Sequence, residues 1–408
     1  MQKFLVLLSA ILCLCLCLPA PGAHAAREAS GKAAADGLNA FACDAYARLR
    51  VQKGNLFFSP LSISCALAAA GTGARGETAA QMARSLRMQL GGEQAHTALT
   101  ALLRGLNTAR DDGQPQIEIA NSIWPHTDFS LRPEYVETAQ KTFDAAVLHV
   151  DYARDAEAAA ARINAWIADK THGRIRDIIH PPPADTRLVL VNAVYFKGAW
   201  ASPFLPENTE DDLFHAPGKA VRTPFMSKTK AFRYGEMKDM QILELPYKGG
   251  EFSLLVLLPA KTPGALEKLE KELSAQRLAQ WTGALHTRTV RVFLPKFSLS
   301  WGPAALNDAL VSLGMRDAFS PHAADFSGMS PDGGLFIGSL LHQANVDVDE
   351  YGTTAAAVTA SPMPAAGPGG LPPIITVFRA DRPFLFLIRD TLRGTVLFMG
   401  RLTEPGGP

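Results

Sequence analysis

Charge imbalance is the first thing this sequence lacks. Its 408 residues carry 40 Lys and Arg against 39 Asp and Glu, a formal net charge of +1, which withholds global support from nucleic-acid or anionic-membrane binding. Cysteine is scarce as well. Cys13, Cys15 and Cys17 crowd the start of the chain. The two others, Cys43 and Cys65, are too few for a disulfide framework and fall on apolar helix faces, where free buried thiols are the commoner case. No G-x-S-x-G, H-E-x-x-H or cysteine-histidine signature occurs, so hydrolase chemistry has no sequence support and no catalytic or metal-ligating residue is assigned. There is no N-x-Ser/Thr acceptor.

Long apolar runs are also missing, apart from residues 4–18. That run follows Lys3 and precedes the small-x-small site Ala23-His24-Ala25, the pattern of an export signal. Residues 1–25 are therefore expected to be a signal peptide cut after Ala25, with delivery to the extracellular space or the periplasm. The run is short and is followed by Pro19 and Pro21, which argues against a membrane helix. No Cys within it follows a small residue, so no lipid anchor is expected. Residues 26–37 read as a flexible N-terminal segment.

What is present is a large apolar fraction, 47% hydrophobic against 19% charged, as in a globular protein with a sizeable core. Helical spacing of apolar residues marks 38–51, 79–90, 95–108, 133–143, 156–171, 263–281 and 306–313. Residues 60–70 read as a helix buried all round. Strand patterns mark 116–124, 145–150, 187–196, 225–247, 252–258, 290–293, 335–348, 374–378, 383–388 and 395–401. Asn192 interrupts the continuous apolar strand 187–196, and a buried amide must find partners.

The stretch 350–373, EYGTTAAAVTASPMPAAGPGGLPP, fits no ordinary element. Residues 353–361 are all Thr, Ala, Val or Ser, so neither face of a strand built from them would resist burial. Residues 362–373 hold five prolines and three glycines, which forbid a central strand or a helix. By composition alone this is either a flexible tether between domains or an exposed arm.

Seven blocks in order decide between them: NLFFSPLSIS (55–64), RLVLVNAVYFKGAW (187–200), LELPYKG (243–249), LPKF (294–297), ADFSGMS (324–330), DEYGTTAAAVTA (349–360), and RPFLFLIRD with LFMGRL near the end. Together they resemble the serpin family of serine protease inhibitors from about residue 39 to residue 405. The resemblance implies an α+β fold over residues 38–405, a single domain of three β-sheets and eight or nine helices, with 350–373 as an exposed reactive-centre loop. In that family a protease cleaves the loop as substrate, and the loop then inserts into the main sheet. By position, Glu350, Gly352, Thr353, Thr354, Ala355, Ala356 and Ala357 correspond to the hinge, and Glu350 with Lys296 to an ion pair at the top of the sheet. Ser59, Ser62, Asn192 and His342 correspond to a polar network beneath its centre, and Trp200 to a packing residue at its top. An inserted strand needs small uncharged side chains, because a buried unpaired charge would cost several kcal/mol.

The bait bond is less plain. Counting forward from Gly352 puts it at Ala366-Gly367, whereas counting back from Pro383-Phe384 puts it near Pro372, a difference of about six residues. The forward count is preferred because insertion length is what trapping depends on. Ala365, Met363 and Leu371 are the alternatives, the last two disfavoured by the prolines that follow them. A small residue before the bond suits an elastase-like or subtilisin-like serine protease. Tyr351 stands where the family more often has a charge, and Pro362 and Pro364 would hinder the end of insertion. The expected activity is suicide-substrate inhibition by a monomer, without cofactor, nucleic-acid or membrane partner. The helix from Ala95 lacks clustered Lys and Arg, so no glycosaminoglycan site is expected either. The alternative is a non-inhibitory serpin acting as a carrier or binding protein.

Overall fold

The computed structural model describes residues 21–88, 114–353 and 375–406. The expected helix 95–108 and most of the arm therefore lie outside the described residues.

Two sheets organise the chain. The six-stranded sheet contains β2 (Gln116–Pro125), β3 (Ala145–Val147), β4 (Leu188–Ala199), β10 (Phe297–Ala305), β11 (Ser339–Val348) and the two-residue β12 (Gly352–Thr353). Its order is β10-β11-β4-β2-β3, with β12 paired to β4. The central neighbours β11 and β4 run parallel, from Ser339 opposite Val189 to Asn345 opposite Tyr195. Strand β4 is buried at every position but Lys197, and apart from Lys197 its one strongly polar side chain is Asn192, as suits a strand covered on both faces. Leu188, Leu190, Val194 and Phe196 enter the main core, while Val189, Val191 and Ala193 join a second cluster.

The other network is nine-stranded. It contains β1 (Leu56–Phe58), β5 (Thr209–Ala216), β6 (Lys219–Met237), β7 (Met240–Pro246), β8 (Phe252–Pro259), β9 (His286–Pro295), β13 (Thr376–Arg379), β14 (Phe384–Asp390) and β15 (Val396–Leu402). Strand β6 spans 19 residues and changes partner along its length, pairing β5 first, then β9, then β7. Among the described residues three strand groups are thus present, two of them fused through β6.

Eight α-helices occur among the described residues: α1 (Pro21–Leu49), α2 (Pro60–Gly71), α3 (Gly76–Ser85), α4 (Pro133–Phe143), α5 (Ala156–Lys170), α6 (Ala265–Glu272), α7 (Ala275–Gly283) and α8 (Asn307–Ser312). Helix α2 is buried from Pro60 to Ala70 in the main core. Proline fits its first turn, and Ser59 caps it by accepting from the Ser62 amide. Helix α5 supplies Ile163 and Ile167 to the second cluster. Cys43 and Cys65 are free and buried.

Four expectations change. Residues 26–37 are helical rather than flexible, and Ala35 is already buried; an Ala-rich stretch has the propensity to extend the helix backward from its packed end. Helix α3 stops at Ser85 because Arg87 turns left-handed, with φ of 55°. The span 263–281 divides because Ser274, in extended conformation, caps a new helix by accepting from the Arg277 amide. The strand expected from Leu335 begins only at Ser339. Before it, Ile337 donates to the Ala318 carbonyl and Gly338 to that of Leu188, off the ladder.

Candidate functional site

The mouth of the six-stranded sheet lies where β11 and β4 part above Asn345 and Tyr195. Between them the chain turns back at Asp349, whose amide donates to the Gly352 carbonyl and whose carboxylate accepts from the amides of Tyr351 and Gly352 at 2.8 and 3.1 Å. Burial raises the Asp349 carboxyl above its ordinary value. Gly352 then lies at φ of 149°, where a Cβ would meet the Gly198 carbonyl oxygen at 2.1 Å. Only glycine fits there. Strand β12 follows, with Gly352 opposite Ala199 and Thr353 opposite Gly198, antiparallel to β4. Thr353 is fully buried, and its hydroxyl bonds that of Tyr247 at 2.9 Å.

Aromatic and charged groups brace this turn. Trp200 stacks on Tyr247 at 4.7 Å and donates its indole N–H to the Asp349 carbonyl at 2.9 Å, so it positions the turn as well as packing. Lys296 Nζ lies 2.9 Å from Glu350 Oε2, and the Thr209 hydroxyl donates to Glu350 Oε1 at 2.9 Å. Burial pushes the Glu350 carboxyl up, but the Lys296 ammonium, the backbone amide of Glu350 itself and the Thr209 hydroxyl together outweigh it and hold the group below its ordinary value.

Beneath the middle of the sheet is a second, neutral cluster. Asn192 and His342 face each other across the β4 and β11 pair, with His342 Nδ1 2.5 Å from Asn192 Oδ1. The Ser59 amide donates to His342 Nε2 at 3.2 Å, which leaves the proton on Nδ1 to be given to Asn192. Asn192 Nδ2 donates to Ser62 Oγ and to Asn121 Oδ1, both at 2.5 Å. The Ser59 hydroxyl donates to the Leu397 carbonyl at 2.7 Å. All five residues are buried. Burial depresses His342 to about 3, with the Asn192 bond opposing the shift, so the imidazole is neutral.

The structure thus brings Ser59, Ser62, Asn192 and His342 together, and Glu350 with Lys296. Thr354, Ala355, Ala356 and Ala357, the Ala366-Gly367 bond, and Ala365, Met363 and Leu371 lie outside the described residues. Sequence reasoning missed Asn121, Thr209 and Tyr247. Asn121 carried a readable signal, since it interrupts the strand pattern of residues 116–124 as Asn192 interrupts its own.

A hinge that begins a strand beside β4, above a buried polar floor, agrees with what protein comparison finds. The family model for serpins, serine protease inhibitors, matches residues 36–405. The chain belongs to the serpin family. An uncharacterised serpin-like protein of Thermococcus kodakarensis is 38% identical over 386 residues, covering 93% of this chain and 87% of that protein. The leukocyte elastase inhibitor of Bos taurus is 39% identical over 363 residues, covering 86% of this chain and 93% of that protein. Among solved structures, human thyroxine-binding globulin complexed with thyroxine superimposes with a TM-score of 0.83 at 27% identity, covering 92% of this chain and 99% of that one.

Proposed function

We propose that this serpin is a suicide-substrate inhibitor of a serine endopeptidase with elastase-like or subtilisin-like specificity, and that it traps the acyl-enzyme by loop insertion. The protease serine would attack the Ala366 carbonyl. The bond to the Gly367 nitrogen would break, the proton leaving with the new amine, and an ester would join Ala366 to the enzyme. The observation that carries this reading is β12. Its register with β4, extended one residue at a time, would bring Ala355 opposite Phe196, Thr359 opposite Asn192 and Ser361 opposite Leu190. As far as Ser361 each arriving side chain is small and uncharged. Ala366 would come level with Asp185, beyond the start of β4, a descent of about 40 Å at roughly 3.3 Å per residue.

Insertion requires β11 and β4 to separate, with loss of the His342 to Asn192 bond. Their parallel ladder would be exchanged for two antiparallel ones, which are slightly more stable per residue, and Thr359 would offer a hydroxyl to the exposed amide. The leukocyte elastase inhibitor relatives support the specificity, as does alanine before the bond. The test is to mix the protein with elastase and with subtilisin. A covalent complex should survive denaturation, and mass spectrometry of the released fragment should show Gly367 at its start. Clean cleavage without complex, for every protease tried, would sink the reading.

The similarity to a thyroxine-binding structure favours the second reading, a non-inhibitory carrier. A melt before and after loop cleavage separates the two, since an inserted loop raises the melting temperature greatly and a carrier's severed loop does not. We also read residues 1–25 as an export signal; N-terminal sequencing of the secreted protein should begin at Ala26.

A further inference from the structure

Most large apolar side chains are buried, yet two exposed ones follow the arm immediately. Ile375 is 42% exposed and Val377 49%. They continue into β13, the last strand of the nine-stranded network. The parallel register with β9 sets Val377 opposite Arg291 and Arg379 opposite Phe293, so these side chains share one face. Arg379 and Arg291 flank the Phe293 ring, their guanidinium carbons 4.0 and 5.1 Å from its centroid. Arg379 is also held by Asp212. Among the described residues, no carboxylate lies within ion-pair distance of Arg291. The result is an apolar strip with a cation fixed over an aromatic ring, a pairing common at the centre of protein interfaces.

We propose that this face is a second docking surface for the target protease, and that it selects enzymes carrying carboxylates and apolar side chains beside their active-site cleft. The inference rests on the reading that a protease engages the arm. Geometry supplies the argument. Only eight residue steps separate Gly367 from Ile375, at most about 27 Å of extended chain. A compact protease of about 240 residues has a radius of gyration of about 18 Å. An enzyme seated on the bait bond is therefore within reach of β13 and β9, where its surface can meet Ile375, Val377 and Arg291. The free guanidinium steers an acidic rim inward and repels a basic one.

The test measures the rate constant for covalent complex formation with two proteases of elastase or subtilisin specificity, one of net negative and one of net positive charge. Wild type is compared with Arg291→Gln and Arg291→Glu, and thermal midpoints check the fold. With the acidic protease, the rate at low salt should fall about 3-fold for the neutral variant and about 10-fold for the reversed one, and the differences should shrink by about 0.3 M salt. With the basic protease, Arg291→Glu should raise the rate. Equal rates across the series while complexes still form would overturn the docking surface and leave the inhibitory reading intact. So would an equal fall with both proteases, or a wild-type dimer in sedimentation that Arg291→Glu dissociates. If wild type traps neither protease, the inhibitory reading falls and takes this surface with it.

Discussion

At the mouth of the six-stranded sheet, Glu350 and Lys296 meet as ions, and Lys296 keeps 26% of its side chain in water. At the floor, Asn192 and His342 meet as neutral groups with no exposure. Both contacts must break before a strand can pass between β11 and β4, but they resist differently. An ion pair whose lysine alone reaches water is partly screened. A neutral pair without water loses its hydrogen bonds outright unless another polar group arrives. If the arm inserts as proposed, the mouth would govern how insertion starts, and the floor how firmly the sheet stays shut.

Thr353→Arg tests the mouth most severely. It sets a guanidinium against the buried Tyr247 hydroxyl, at a site with no carboxylate partner in the contacts of Thr353, a burial that costs several kcal/mol. The expected outcome is conversion from inhibitor to substrate: residual protease activity in a titration stays near that of enzyme alone, and gels show cleaved chain without complex. Trapping by this variant would show that insertion does not start at Thr353.

Acid tests the floor. His342 has an ordinary value of 6.5 and is depressed to about 3 by burial. The unfolded chain therefore binds the proton first, so stability is full above pH 6.5 and is lost as pH falls toward 3. The loss reaches about 5 kcal/mol at most. Glu350, held below its ordinary value by Lys296, also weakens in acid, once pH falls through the carboxylate range. A His342→Gln variant separates the two: denaturant midpoints between pH 6.5 and 5 should flatten in the variant and slope in wild type. Parallel slopes would remove His342 from the account.

Asn192→Ala removes the partner of His342 Nδ1, Ser62 and Asn121 together. It should cost about 3 kcal/mol, the range for leaving buried polar groups unpaired. It should also speed spontaneous sheet opening, read as faster loss of inhibitory activity on warming. Replacing Asn121 as well should add little, because the two amides share one network.

How much of this was readable from the chain differs by element. Helix α4 matches its expected limits because proline opens it and Asp144 closes it in a left-handed turn, with φ of 50°. Strand β4 was plain from an apolar run that only Asn192 interrupts. The floor was only half legible: periodicity flags Asn192 as an anomaly but cannot say that β11 lies beside it, since a parallel neighbour 150 residues away leaves no local mark. Pairing His342 with it came from the serpin resemblance. Strand β12 was invisible to periodicity for another reason, and only the serpin resemblance pointed to Gly352 and Thr353. Two residues have no period, and what buries Thr353 is a tyrosine from the end of β7, over a hundred residues earlier.

The smallest expected effect sharpens the comparison furthest. Lys296→Met keeps the length of the stem and removes the charge, leaving Glu350 with the Thr209 hydroxyl. Because Lys296 is about a quarter exposed, the loss should be about 1 kcal/mol, well below that of Asn192→Ala. A double-mutant cycle with Glu350→Gln isolates the pair, and its coupling energy should fall as salt rises. Inhibition should quicken slightly, since the arm no longer has to break an ion pair to descend. A coupling energy equal to that of the Asn192 and His342 pair would mean that mouth and floor hold the sheet with similar force, and the division of labour between them would fail.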